Sequence, residues 1–144
     1  MIRVFQRHCN FSTQSANKPR PTWFDREKIF DKLISSIDDR VIYTAFHDSG
    51  NGSIKDHFLN NKNVNKISMH GGNDAQAFLN LLNYVKDQPF NDNDIIYFLE
   101  DDYLHRDGWV DILQEGFNMI GADYYTLYDH PDKYYLPMYN DLQS

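Results

Sequence analysis

An apolar run that ends in three adjacent carboxylates is the part of the sequence best suited to chemistry. Residues 94–103 read Asp-Ile-Ile-Tyr-Phe-Leu-Glu-Asp-Asp-Tyr, so the acids are Glu100, Asp101 and Asp102. A short run of β-branched and aromatic residues after the turn-like 91–93 is typical of a buried strand. Three neighbouring like charges require compensation by solvent, hydrogen bonds or a cation. Mg²⁺ and Mn²⁺ prefer oxygen ligands and complete their coordination with water and phosphate. The run therefore predicts a site for a metal ion and a diphosphate.

The elements that must position these acids alternate between strand and helix. Strands are predicted at residues 2–6, 41–46, 66–69, in the acid-ended run, and at 124–128. A short helix is predicted near 54–60. Three longer helices are predicted where apolar residues recur at helical spacing. Their apolar residues are Ile29, Phe30, Leu33, Ile34 and Ile37 in the first, Ala75, Phe78, Leu81, Leu82 and Val85 in the second, and Trp109, Ile112, Leu113 and Phe117 in the third. Residues 22–25 resemble a capping box, and Gly121 suits a helix C-terminus. The alternation predicts an α/β fold with a mostly parallel, Rossmann-like sheet flanked by helices.

Composition narrows the class of protein and of partner. The 144 residues are 41% hydrophobic and 15% aromatic. This composition favours a single packed domain that spans residues 1–144. A formal net charge of -7 argues against nucleic acid or an anionic membrane as partner. Cys9 is the only cysteine, so no intrachain disulfide can form. With no long apolar segment and no signal-peptide pattern, we expect a cytoplasmic location.

Three further groups of residues fall where strands are predicted to end. Gly71, Gly72 and Asn73 follow the third strand and precede a helix. Small residues there let the backbone approach a ligand, and the helix N–H groups favour anions. Arg7 is predicted to follow the first strand, and Asp48 the second. The histidines His47, His57 and His105 show no metal-ligand spacing and are predicted to be surface or loop residues.

The order of these motifs resembles the donor-binding half of GT-A glycosyltransferases. In that family a Gly-rich segment precedes a strand that ends in a DxD motif. The Glu-Asp-Asp form at 100–102 is similar to the variant of the N-acetylglucosaminyltransferase I group. The resemblance covers the element order of most of the chain, but its motifs lie only near 70–110. An arginine common in the family after the Gly-rich turn is absent, and the acceptor subdomain is expected to be short or absent.

The resemblance implies a role for each acid. Asp102 would bind Mn²⁺ or Mg²⁺ directly, Asp101 would face the ribose or bind the metal through water, and Glu100 would orient its neighbours. The metal would stabilise the leaving nucleoside diphosphate. The donor would be a UDP- or GDP-sugar, and the acceptor a glycan or another hydroxyl compound.

The resemblance also assigns residues outside the triplet. Arg7 and Asp48 would line the base and ribose pocket, together with Gly71, Gly72 and Asn73. Apart from the resemblance, Asp129 is the candidate catalytic base, with Asp132 as the alternative late carboxylate, although no supporting motif accompanies either. Because little chain remains for an acceptor subdomain, we expect a second subunit, as in a homodimer, or additional chain to complete the cleft.

Two other functions remain open at the level of sequence. Paired carboxylates also hold Mg²⁺ in metal-dependent phosphotransferases and phosphohydrolases, although neither a Walker loop nor a nucleophilic aspartate motif is present. The second alternative is a non-catalytic module that binds a nucleotide or a carbohydrate. Ligand-induced stabilisation by UDP or GDP, by phosphomonoesters, or by free glycan separates the three functions.

Overall fold

Four parallel strands form one sheet in the computed structural model, which describes residues 1–10, 16–49 and 55–128. The strands are β1 (Ile2–Cys9), β2 (Val41–Asp48), β3 (Asn65–Met69) and β4 (Ile95–Glu100). They lie in the order β3-β2-β1-β4, and every neighbouring pair is parallel. The predicted α/β fold with a parallel, Rossmann-like sheet is therefore confirmed.

Three α-helices accompany the sheet in the described part of the chain: α1 (Arg26–Ser35), α2 (Asp74–Lys86) and α3 (Trp109–Ile120). The N-cap of α1 is Asp25, whose side chain accepts a hydrogen bond from the Lys28 N–H. The predicted capping box, with Thr22 as cap, is therefore wrong by three residues. Gly121 adopts the left-handed conformation and ends α3, as the sequence predicts.

Helices α1 and α2 cover opposite faces of the sheet. Side chains alternate along β1, so Phe5 and Gln6 point to different faces. On one face, Phe5 and Phe46 form a core cluster with Leu81 and Val85 of α2. On the other, the Phe30 ring of α1 lies 5.9 Å from the Tyr43 ring. Because both faces are covered, the strands read as apolar runs in the sequence.

Two of the predicted elements differ in the structure. The short helix near 54–60 is a single 3₁₀ turn, Phe58–Asn61, within the described residues. The segment 124–128 is described but is not a strand. Its Tyr125 ring lies 6.0 Å from Phe117 of α3, and the Tyr128 N–H donates to Thr126 Oγ1. That local side-chain bond and the packing on the helix take the place of strand pairing.

The chain divides into two compact units, Met1–His105 and Arg106–Ser144. The first contains the sheet with α1 and α2. The second contains α3, in which Trp109, Val110 and Leu113 are buried. None of the helices in the described ranges is long and apolar enough to span a membrane.

Candidate functional site

The acid triplet lies at the carboxyl ends of β1 and β4, the two neighbouring strands at which the strand order reverses. β1 is flanked by β2 on one side and by β4 on the other. In open α/β sheets, ligands bind in the crevice at such a switch point, beyond the carboxyl ends of the strands. Glu100 is the last residue of β4, and Asp101 and Asp102 follow it directly. The acids therefore emerge where this fold class binds its ligands.

Each of the three acids is paired with a different arginine. Glu100 lies 3.1 Å from Arg7. Asp101 lies 3.1 Å from Arg26, and Asp102 lies 2.9 Å from Arg20. Arg20 comes from the segment that leads into α1, and Arg26 is the first residue of that helix. Arginine carries a permanent positive charge, so each acid faces a compensating cation. Guanidinium groups thus supply the compensation that the sequence assigned to a metal ion.

Arg7 connects β1, β4 and α2. Besides its pairing with Glu100, its Nη1 donates to the Asp74 backbone carbonyl at 2.9 Å. Its side chain is only 13% exposed. The sequence placed Arg7 after the first strand, but β1 continues to Cys9, so Arg7 lies inside it. The strand predicted at residues 2–6 is too short because polar residues such as Arg7 also occur in the buried end of β1.

Asp48 anchors the Gly-rich turn. It is the last residue of β2, rather than the first residue after it, and is 4% exposed. Its Oδ1 accepts a hydrogen bond of 3.1 Å from the Gly71 N–H. In register, Asp48 pairs with Cys9 of β1. Asp48 and the Gly-rich turn therefore share the sheet edge at which the acids emerge.

The Gly-rich turn packs closely against α2. A Cβ on Gly71 would lie 2.7 Å from the Ala77 Cα, so no side chain fits there. Gly72 has a φ of 75°, in the left-handed region. Asn73 is the N-cap of α2, and its side chain accepts a hydrogen bond from the Gln76 N–H. The three predicted nucleotide-binding residues thus shape and cap the start of this helix.

Burial changes the acidity of two acids in the triplet. It raises the pKa of Glu100, and the charge of Arg7 opposes that rise. Burial likewise raises the pKa of Asp101, against the charge of Arg26. In both acids the effect of burial outweighs the opposing charge of the arginine.

A buried polar network lies beneath the triplet and was missed at the level of sequence. The Gln6 Nε2 donates to the Glu100 backbone carbonyl at 3.1 Å. The Tyr43 hydroxyl donates to Gln6 Oε1 at 2.7 Å, and His8 Nε2 lies 3.1 Å from the same oxygen. Gln6 and His8 are both fully buried. Two polar residues spaced i, i+2 at the end of an apolar strand were the available signal.

His8 of this network lies close to two further histidines, His47 and His57. The ring centroid of His57 lies 4.3 Å from that of His47 and 5.9 Å from that of His8. Burial lowers the pKa of His8 to about 3 and that of His57 to about 4. His47 lies in β2 and is 2% exposed, so its predicted surface position is wrong. In residues 1–10, 16–49 and 55–128, no group of three or more His, Cys, Asp or Glu residues could hold a metal ion.

The chemistry of the donors at the triplet nevertheless suits a hard divalent cation that is bound jointly with a ligand. Mg²⁺ commonly uses one or two carboxylates and takes its other ligands from water and phosphates. Asp101 and Asp102 supply two such carboxylates, with side chains 12% and 23% exposed. Glu100, at 42% exposed, is turned toward Arg7. Asp129, the predicted base, lies outside the residues that the structure describes.

Comparison with protein-family models, with curated proteins and with solved structures finds no match to this chain.

Proposed function

We propose that this protein is a GT-A-type glycosyltransferase that uses a nucleoside-diphosphate sugar and a divalent metal ion. One observation carries the proposal. The Glu100–Asp102 triplet begins at the last residue of β4, at the switch point of a parallel sheet with strand order β3-β2-β1-β4. Ligands of open α/β sheets bind at that place, and adjacent carboxylates there are suited to a metal-bound diphosphate.

In this proposal the triplet binds the diphosphate end of the donor. Asp102 is the direct ligand of Mn²⁺ or Mg²⁺, and Asp101 assists it or faces the ribose. The metal, when bound, neutralises the charge that develops on the departing diphosphate. Glu100 is already paired with Arg7, which suits it to hold its neighbours in position.

The nucleoside end of the donor is proposed to lie toward β2 and β3. Asp48 anchors the Gly71 N–H there, and both residues lie on the sheet edge shared with the triplet. Arg7 already contacts Glu100 and the Asp74 carbonyl. In this proposal Arg7 therefore holds the wall of the base pocket in place and does not itself stack on the base. Gly72 and Asn73 bring the N-terminus of α2 to the same region, where backbone N–H groups attract anions.

Transfer also requires a base and an acceptor. We retain Asp129 as the candidate base and a glycan or another hydroxyl compound as the acceptor. The base must lie against the acceptor hydroxyl in a site that excludes water. We therefore propose that a second subunit or additional chain completes this part of the cleft.

A thermal-shift screen with calorimetry tests the proposal. UDP or GDP should stabilise the chain only when Mn²⁺ or Mg²⁺ is present, because the metal links Asp102 to the diphosphate. Asp102→Asn should abolish metal-dependent binding. Asp38→Asn is the matched control, because Asp38 is an exposed acid paired with Arg40 in the turn before β2. Stabilisation by phosphomonoesters would favour a phosphotransferase, and stabilisation by glycan without metal would favour a binding module.

A further inference from the structure

Arg20 and Arg26 are held by one aromatic ring beside the two aspartates. The Arg20 guanidinium carbon lies 4.4 Å from the centroid of the Phe24 ring, and that of Arg26 lies 5.3 Å from it. Arg20 donates to Asp102 at 2.9 Å, and Arg26 donates to Asp101 at 3.1 Å. Residues 20–26 thus present two guanidinium groups to Asp101 and Asp102, the acids that follow β4.

The surroundings of the arginines differ in a way that separates their roles. Arg7 is 13% exposed and is held by both Glu100 and a backbone carbonyl of α2. Arg20 is 26% exposed, and the side chains that hold it are Asp102 and the Phe24 ring. Releasing Arg20 from Asp102 leaves its stacking contact intact, whereas releasing Arg7 breaks contacts in two elements. Arg20 is therefore the arginine better suited to exchange partners.

We propose that Arg20 is a displaceable internal cation, which pairs with Asp102 until a divalent ion binds there and then moves to the diphosphate. This inference rests on the proposed function and adds a residue that recognises the substrate. A carboxylate that coordinates a divalent ion attracts a guanidinium less strongly. The planar guanidinium then matches the oxygens of a neighbouring phosphate, with which it forms charge-assisted hydrogen bonds.

The exchange predicts opposite effects of one substitution on two ligands. In Arg20→Gln, Mn²⁺ no longer competes with a guanidinium for Asp102, so its affinity without nucleotide should rise about two- to fivefold. The affinity for UDP or GDP in saturating Mn²⁺ should fall about tenfold or more, because a charge-assisted contact to phosphate is lost. A residue that only supports the fold would weaken both affinities or neither.

Electron paramagnetic resonance of free Mn²⁺ measures the first affinity, and calorimetry with UDP, GDP and inorganic diphosphate measures the second. Arg20→Lys should retain much of the phosphate affinity and preserve the fold. Arg40→Gln is the matched control, since Arg40 pairs with an exposed aspartate ahead of β2 and should change neither affinity.

The outcomes separate this inference from the function on which it rests. Opposite shifts in Arg20→Gln, with both affinities unchanged in Arg40→Gln, support it. If the wild-type chain binds nucleotide with Mn²⁺ but Arg20→Gln has unchanged affinities, only the role of Arg20 is overturned. If the wild-type chain binds neither UDP nor GDP in Mn²⁺, the proposed function fails, and the role of Arg20 fails with it.

Discussion

Arg7 of β1 and Glu100 of β4 are register partners in adjacent parallel strands, and their side chains form an ion pair of 3.1 Å. The pair therefore links the strand pairing at the switch point to the position of the acid triplet. Removal of Arg7 would disturb both the packing of the edge and the electrostatic balance of the acids.

We expect Arg7→Gln to lower the free energy of unfolding by about 1–3 kcal/mol, because it leaves a partly buried carboxylate and the Asp74 carbonyl without their charged donor. Urea unfolding measures this change. Arg40→Gln should lower the free energy of unfolding far less, because solvent screens its exposed pair with Asp38. Equal decreases in the free energy of unfolding of the two variants would show that the contacts of Arg7 stabilise the fold no more than an exposed ion pair does.

Asp48→Ala should weaken nucleotide binding by about 1–3 kcal/mol, because the Gly71 N–H loses its acceptor and the turn loses its anchor. Isothermal titration calorimetry with UDP or GDP in saturating Mn²⁺ gives the value. Asp48→Asn keeps an acceptor oxygen and should retain part of the affinity. If Asp48→Ala binds as tightly as the wild type, the base and ribose pocket lies elsewhere.

Gly71→Ala should destabilise the fold by about 1–3 kcal/mol, because the added Cβ would meet the backbone of α2, with Ala77 N at 2.8 Å and Ala77 Cα at 2.7 Å. Thermal unfolding followed by circular dichroism measures the effect. Gly72→Asn is the control, since asparagine tolerates the left-handed backbone and the space around Gly72 is open. A loss confined to the Gly72 variant would mean that the turn does not approach α2 closely.

Acid should destabilise the protein through His8. Burial, with smaller contributions from His57, His47 and Arg26, lowers its pKa from 6.5 to about 3. The unfolded chain therefore binds a proton that the folded chain excludes. This stability is complete above about pH 6.5 and is lost as the pH falls toward 3, by up to about 1.4 kcal/mol per pH unit.

Urea unfolding between pH 4 and 7 isolates this effect when wild type is compared with His8→Gln, which keeps a polar side chain but does not titrate. The variant should show a shallower loss of stability on acidification. The raised pKa values of Glu100 and Asp101 act in the opposite direction, and both proteins share them. Parallel pH profiles for the two proteins would exclude His8 as the source.

Local patterns predicted the elements well where periodicity was strong. The apolar spacing predicted α2, and the alternation of strands with helices predicted the parallel sheet. Strand ends were placed too early, since Arg7 and Asp48 are polar residues that the interior accommodates through specific partners. Residues 124–128 have strand-like composition, but the packing of Tyr125 on α3 prevails over that propensity.

The acid triplet was predictable from sequence, whereas its partners were not. Arg26 is 75 residues from Asp101, and Arg20 is 82 residues from Asp102. No local spacing encodes a contact at that separation, because only the tertiary fold brings the start of α1 and the segment before it beside the end of β4. The same holds for the Gln6–Tyr43 bond, which joins side chains of two different strands.

The strand order also determines when the site is assembled during folding. β1, β2 and β3 are complete once residue 69 has been synthesised, but the other edge of β1 has to wait for residues 95–100. Pairing across such a sequence separation carries a loop-closure cost and tends to be slow. The docking of β4 both covers an open edge and delivers the acids to Arg7, Arg20 and Arg26. Folding intermediates that lack this strand would therefore contain the arginines without their acids, so the site forms only as the sheet is completed.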